Sequence, residues 1–237
     1  MDNNITELVK KNEIKHIAII MDGNRRWAKD KNLPSAVGHK KGVDALRNVV
    51  RACDDFGVKY LTVYAFSTEN WNRKQEEVEF LMDLVAVTLK NELDEMHKEN
   101  VQIRFIGDRK RLSDNLQKIL FNAETQTKNN NGVILQIALN YGSRSEIVEA
   151  VKNIVAEARG QDEIDENLIS QYLYTSQVPD PDLLIRSGGE MRISNYLLWQ
   201  IAYSEIIFKD EYWPDFNAKI LSECIEEFAR RNRRYGK

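Results

Sequence analysis

Sulfur and imidazole are scarce in this chain: its 237 residues include two cysteines and three histidines. Cys53 and Cys224 stand inside helix-like patterns, no Cys-x-x-Cys occurs, and no histidine sits at metal-ligand spacing. A zinc site is therefore excluded, and the thiols read as small apolar residues suited to a reducing cytosol. Four prolines and eleven glycines are too few, and too scattered, for a linker or a low-complexity tract, and no internal repeat is present. No segment approaches the roughly 18 uninterrupted apolar residues of a membrane span. The first residues lack the basic start and apolar run of a signal peptide, which predicts a cytoplasmic protein. A formal charge of −3 gives no global attraction to nucleic acid or anionic lipid, so any anion must be held by local clusters of arginine.

Familiar phosphate signatures are missing too. Without Gly-x-x-x-x-Gly-Lys-Ser/Thr a P-loop enzyme is excluded, and without Gly-x-Gly-x-x-Gly after the first strand so is a dinucleotide fold. Asp22 is followed two residues later by Asn24, not by the second carboxylate of an aspartate-pair phosphatase. Asp54-Asp55 runs into Phe56-Gly57-Val58 and forms no Asp-Asp-x-x-Asp box.

What is present alternates regularly. Short apolar runs predict strands at 16–21, 59–65, 101–106, 133–139, 183–186 and 205–208. Several are continuously apolar, as parallel strands covered on both faces require. Helical periodicity fills 40–56, 76–99, 109–128, 143–159, 166–174 and 217–233. Right-handed crossovers between such elements imply one α/β domain over residues 1–237, with a central, mostly parallel six-stranded sheet flanked by helices. Residues 1–14 read as a flexible N-terminal segment, in which Ile5, Leu8 and Val9 could make one amphipathic turn. The helix over 76–99 is apolar on two faces: either it packs between sheet and neighbours, or its second face lines an apolar tunnel between sheet and helices.

Ligands of open parallel sheets bind beyond the carboxyl ends of the strands, and three strand ends carry unusual chemistry. In Met21-Asp22-Gly23-Asn24-Arg25-Arg26-Trp27 a strand runs into a carboxylate suited to Mg²⁺, a glycine that admits close backbone approach, and arginines that fork onto phosphate. Alone, it reads equally as an aspartate N-cap followed by solvated arginines. The second loop, Ser67-Thr68-Glu69-Asn70-Trp71-Asn72-Arg73, offers hydrogen-bonding groups and a flat indole, or an ordinary helix start. The third runs Arg186-Ser187-Gly188-Gly189-Glu190-Met191-Arg192-Ile193-Ser194, where two glycines permit an anion nest between basic residues.

Together with Gly38-His39, Asn140-Tyr141-Gly142, the run from Trp199 to Glu205 and Trp213-Pro214-Asp215-Phe216, these blocks resemble the cis-prenyltransferase family, in its bacterial undecaprenyl diphosphate synthase branch. The likeness extends from residue 14 to residue 237 in unbroken order. It implies a transferase that adds isopentenyl diphosphate units to an allylic diphosphate such as farnesyl diphosphate, each new double bond being cis. The implied product is undecaprenyl diphosphate, for the lipid carrier of cell-wall synthesis, or a shorter or longer relative. A non-catalytic partner subunit is the alternative from another class; such subunits typically lose catalytic-loop residues that this chain keeps.

Carried over position by position, the resemblance makes Asp22 catalytic and a Mg²⁺ ligand, and Asn70 the residue linked to proton removal. Gly23, Asn24, Arg25, Arg26 and His39 would surround the allylic diphosphate. Trp27, Ser67, Thr68, Glu69, Trp71 and Arg73 would lie around the prenyl substrates. Arg186, Arg192, Ile193 and Ser194 would take isopentenyl diphosphate, and Glu205 would be the second Mg²⁺-associated carboxylate. Arg234-Tyr235-Gly236 matches an Arg-x-Gly that reaches the partner's active site, so a homodimer is implied, with Arg234 and Gly236 supplied across the interface. An apolar product implies work at the inner face of a membrane. Where many relatives carry an arginine before Gly-His, this chain has Pro34-Ser35, and Lys40 or Lys41 is the expected replacement.

Overall fold

The computed structural model describes residues 2–157, 160 and 163–231. Its six strands all lie in one sheet: β1 (His16–Ile20), β2 (Tyr60–Ser67), β3 (Gln102–Ile106), β4 (Ile134–Tyr141), β5 (Leu183–Arg186) and β6 (Glu205–Phe208). They run parallel throughout, in the order β3-β4-β2-β1-β5-β6. The predicted single α/β domain with a six-stranded sheet is thus what forms.

Side chains alternate across the sheet, and the two faces of β1 show why this strand is apolar without a break. Ile17 and Ile19 join a large cluster with Val49, Leu61, Leu135 and Phe228, while Ala18 and Ile20 join a smaller one with Tyr64, Tyr141, Leu184 and Tyr196. Helices α1 (Asp2–Lys11), α3 (Ser35–Phe56), α4 (Gln75–Lys98), α5 (Asp114–Thr127) and α8 (Ala218–Arg230) contribute to the larger cluster. Helix α2 (Asn24–Asp30) leaves the end of β1, and α6 (Ser143–Ala156) and α7 (Glu166–Tyr172) follow β4.

The expectation of a flexible segment over 1–14 is corrected. Residues 2–11 form α1, whose Ile5 and Val9 are 3% and 4% exposed, and the helix packs on α3 and α8. Three buried apolar residues including Ile14 bind this end to the core, an effect on the order of several kcal/mol. The predicted helix over 109–128 is also divided: a 3₁₀ turn at Arg109–Arg111 precedes α5, which Ser113 caps by accepting from the Leu116 amide.

Candidate active site

β1, the central strand of the three that hold the site, is flanked by β2 and β5, with Ile20 paired to Tyr64 on one side and to Arg186 on the other. The loops that leave these three strands therefore open at one edge of the sheet. They line a cleft of about 1140 Å³.

Asp22 sits two residues past β1. Its backbone is held from both sides: its amide donates to Ser187 Oγ at 2.9 Å, and its carbonyl accepts from the Trp213 amide at 2.9 Å. Gly23 follows at φ +101°, where a Cβ would stand 2.6 Å from Tyr212 Cδ1. Only glycine meets both conditions. That turn places the Gly23 amide 2.7 Å from Asp22 Oδ1 and starts α2, so Arg26 Nη2 falls 3.2 Å from the same carboxylate oxygen. Arg186, the last residue of β5, approaches from the other side, Nη2 lying 2.8 Å from Asp22 Oδ2.

Arg186 is 4% exposed and donates its Nη1 to Ser194 Oγ at 2.9 Å and to the Arg192 carbonyl, while its Nε has no partner. Burial alone would favour a protonated Asp22, but the Arg186 hydrogen bond, the charges of Arg186 and Arg26, and the Gly23 amide outweigh it and hold the carboxyl below its ordinary range. Glu190 extends the alternation, meeting Arg26 at 3.3 Å and also Arg192.

The second loop is a 3₁₀ helix at Thr68–Asn72 closed by a capping box, in which the Ser67 amide donates to Asn70 Oδ1 at 3.1 Å. Asn70 thereby offers the cleft its donor Nδ2. Arg73 and Arg25, which line the cleft, both reach Glu77, at 2.9 Å and 3.5 Å. His39 stands beside Phe80, its Nε2 buried and without a partner. Burial, then the charges of Arg73 and Arg25, push its pKa down to about 4 against a weaker pull from Glu77, so the ring is neutral near pH 7.

Of the predicted residues, Asp22, Gly23, Asn24, Arg25, Arg26, His39, Ser67, Glu69, Asn70, Arg73, Arg186, Arg192 and Ser194 line this one cleft. Others go elsewhere. Trp27 is a buried residue of α2 that donates Nε1 to Asp215 at 2.8 Å, and Trp71 donates to Asn140 beneath the guanidinium of Arg111. Thr68 binds Glu69, and Ile193 packs on the smaller core cluster.

Glu205 stands apart from the cleft residues in this chain. It opens β6 opposite Leu183, the first residue of β5, and so lies at the amino-terminal edge of the sheet, bound to Arg231 at 2.8 Å. Arg234 and Gly236 lie outside the described residues. Ser35 and Lys29 both line the cleft, and Lys40 and Lys41 are not among its lining residues.

Two contributors were not foreseen. Ser187 Oγ clamps the first loop to the third through both its donor and acceptor, and Asn195 ties three segments together. The Asn195 side chain accepts from the Arg144 amide at 3.0 Å and donates to Glu69 at 2.8 Å, while its carbonyl accepts from the Ser143 amide. Its φ of +60° is a conformation asparagine tolerates, which is the signal that Ser194-Asn195 held in the sequence.

Six cationic side chains (Arg25, Arg26, Lys29, Arg73, Arg186, Arg192) face two carboxylates (Asp22, Glu69) in the lining, a local excess of positive charge on a chain of net charge −3. With the unpartnered buried donor Arg186 Nε, the cleft is fitted to a multiply charged oxyanion. It shares Met21, Phe66 and Leu81 with an adjoining apolar cavity of about 130 Å³ beneath α3 and α4.

The prenyltransferase family model described by undecaprenyl diphosphate synthase matches residues 20–236. The chain belongs to this family of cis-prenyltransferases. Among relatives, the isoprenyl transferase of Clostridium perfringens is 49% identical over 94% of this chain and 89% of its own, and that of Chromobacterium violaceum 51% over 94% and 88%. In three dimensions, lavandulyl diphosphate synthase from Lavandula x intermedia, solved with dimethylallyl diphosphate, superimposes with a TM-score of 0.91 at 35% identity, covering 94% of this chain and 98% of that one. A probable undecaprenyl diphosphate synthase from Campylobacter jejuni gives 0.81 at 33%, covering 94% and 99%. Prenyl transfer is therefore the activity of the family, and its members differ in the product they make. Among the described residues no helix is long and apolar enough to cross a membrane.

Proposed function

We propose that this chain elongates an allylic diphosphate with isopentenyl diphosphate, each addition creating a cis double bond, and that the product is a long polyprenyl diphosphate of the undecaprenyl type. One observation carries the reading: Asp22 and Arg186 meet in a cation-rich cleft that shares its floor with an apolar cavity. A substrate with a diphosphate head and a hydrocarbon tail needs both compartments side by side.

Among the described residues no three acidic, histidine or cysteine side chains gather to hold a metal. The donor set nevertheless suits Mg²⁺, which commonly takes one or two carboxylates and completes its shell with substrate phosphate and water. Asp22 would be the protein ligand, and bound Mg²⁺ would stabilise charge developing on the departing diphosphate. Arg26, Asn24 and His39 bind the allylic diphosphate, and Arg25 and Arg73 close over it. Arg186, Arg192 and Ser194 hold isopentenyl diphosphate with its double bond towards the allylic carbon. As the allylic carbon–oxygen bond breaks, the alkene forms the new carbon–carbon bond and then loses a proton. Asn70 is a neutral amide and a poor base, so it orients the diphosphate oxygen that accepts that proton. The arginine forks contribute because charge on the leaving group grows in the transition state. Holding two anions at reaction distance supplies the rest.

The same reading makes the working form a homodimer, with Arg234 and Gly236 completing the partner's site, and brings the chain to a membrane surface only through its product. Incubating purified protein with farnesyl diphosphate, labelled isopentenyl diphosphate and Mg²⁺, then separating the products by length, tests activity and product together. No incorporated label in a folded, Mg²⁺-supplied sample would discard the proposal. Removing the last five residues should lower turnover sharply; an unchanged rate would remove the tail from the site.

A further inference from the structure

The wall of the apolar cavity contains one carboxylate. Glu92 of α4 lines it among Leu46, Leu89, Met96 and Leu135. Along α4, Glu92 lies eleven residues beyond Leu81, which borders both compartments, so it stands roughly 16 Å deeper. An unpaired carboxylate there would oppose any hydrocarbon reaching it. It is not unpaired. Arg47 of α3 forks onto it, Nε 2.9 Å from Oε2 and Nη2 2.6 Å from Oε1. One turn further, Arg51 reaches Glu95 at 2.5 Å and Glu99 at 2.6 Å, so ion pairs continue along the seam between α3 and the end of α4.

Such a seam has two properties that a packed leucine seam lacks. Its members are part-exposed and re-form in water, so parting α3 from α4 costs little. The fork also cancels the one charge that a growing chain would meet. The cavity holds about 130 Å³ against about 1140 Å³ in the cleft, so a lengthening chain fills it early and must then widen it.

We propose that the Arg47–Glu92 pair determines product length, Arg47 masking Glu92 so that the hydrocarbon passes it. This rests on the prenyl-elongating function proposed above. The two halves of the pair then have opposite effects. In Arg47→Met the carboxylate is bared, and the products shorten by one or more five-carbon units. In Glu92→Leu, and in the double variant Arg47→Met/Glu92→Leu, no charge faces the cavity, and the products match or exceed the original length. Arg47→Lys, a cation without the fork, gives intermediate lengths.

The test is the distribution of chain lengths at equal total incorporation, with thermal melting of each variant to confirm the fold. Identical distributions in all variants would overturn the inference. So would equal shortening in Arg47→Met and the double variant, because loss of packing alone would then explain both. Inert wild-type protein would instead defeat the catalytic reading, a different result from active protein whose product length ignores this pair.

Discussion

Arg186 donates from Nη2 to Oδ2 of Asp22 across 2.8 Å, joining two residues 164 positions apart in the chain. The two groups act as one unit, because Arg186 keeps Asp22 ionised and Asp22 offsets a guanidinium that is 4% exposed. Asp22→Ala and Arg186→Ala should each lower turnover by at least about a hundredfold while the protein stays folded. The double variant should lose little more than either single one, since residues sharing one task are not additive. Initial rates of label incorporation decide the matter, and fully multiplicative losses would show that the pair is not a unit.

The turn at Gly23 should not tolerate a side chain. Gly23→Ala places a methyl group 2.6 Å from Tyr212 Cδ1 at φ +101°, so either α2 shifts or the Asp22 carboxylate turns away from the Gly23 amide. The expected result is a loss of at least about 1 kcal/mol in stability together with a fall in turnover. Wild-type rates and an unchanged denaturation midpoint would refute it.

Asn195 ties down the loop proposed to hold isopentenyl diphosphate, without belonging to the resemblance that identified its neighbours. Asn195→Ala removes the bonds to Glu69 and to the Arg144 amide, freeing the loop that carries Arg192 and Ser194. At about 1 kcal/mol per hydrogen bond, KM for isopentenyl diphosphate should rise about tenfold or more, with a smaller change in kcat. A KM equal to that of wild type would remove Asn195 from the site.

Acid should weaken the fold before the carboxylates titrate. His16 is 1% exposed, and burial pushes its pKa down to about 4 despite the Pro179 carbonyl at 2.6 Å and the charge of Asp182. Because the folded value lies below the ordinary 6.5, the unfolded chain takes up the proton first. Stability is therefore full above about pH 6.5, declines as pH falls towards 4, and changes no further through this group below that. For His16 the loss between pH 7 and pH 5 is on the order of 2 kcal/mol. Urea unfolding at both pH values should show it, and His16→Gln, less stable at pH 7, should lose less on acidification. Equal acid sensitivity in the two proteins would contradict this account.

All six strands were legible, several because burial on both faces leaves continuous apolar runs, and β5 and β6 coincide with the predicted ranges. The helix at Asp2–Lys11 was not. Its Ile5 and Val9 make a weak pattern that acquires meaning only against α3 and α8, which come later in the chain. Glu205 shows the opposite case. Its motif carried the metal expectation, and as the first residue of a parallel strand it lies at the amino-terminal edge of the sheet, a position already contained in the predicted topology. Trp71 shares a loop with cleft residues, and nothing local indicated that its ring would lie under Arg111.

Local order sufficed for the strands, for the loops that end them, and for the types of group those loops carry, because apolar periodicity and glycine turns act over a few neighbouring residues. Which loops face one another was settled by strand pairing: β1 lies between β2 and β5, and that order alone brings Asp22 to Arg186. The same holds for Glu92, an ordinary helix-surface glutamate in the chain and a masked charge in an apolar wall once Arg47 packs across from α3. Contacts between distant segments depend on how the sheet is ordered and how its helices cross, which no short stretch of sequence encodes.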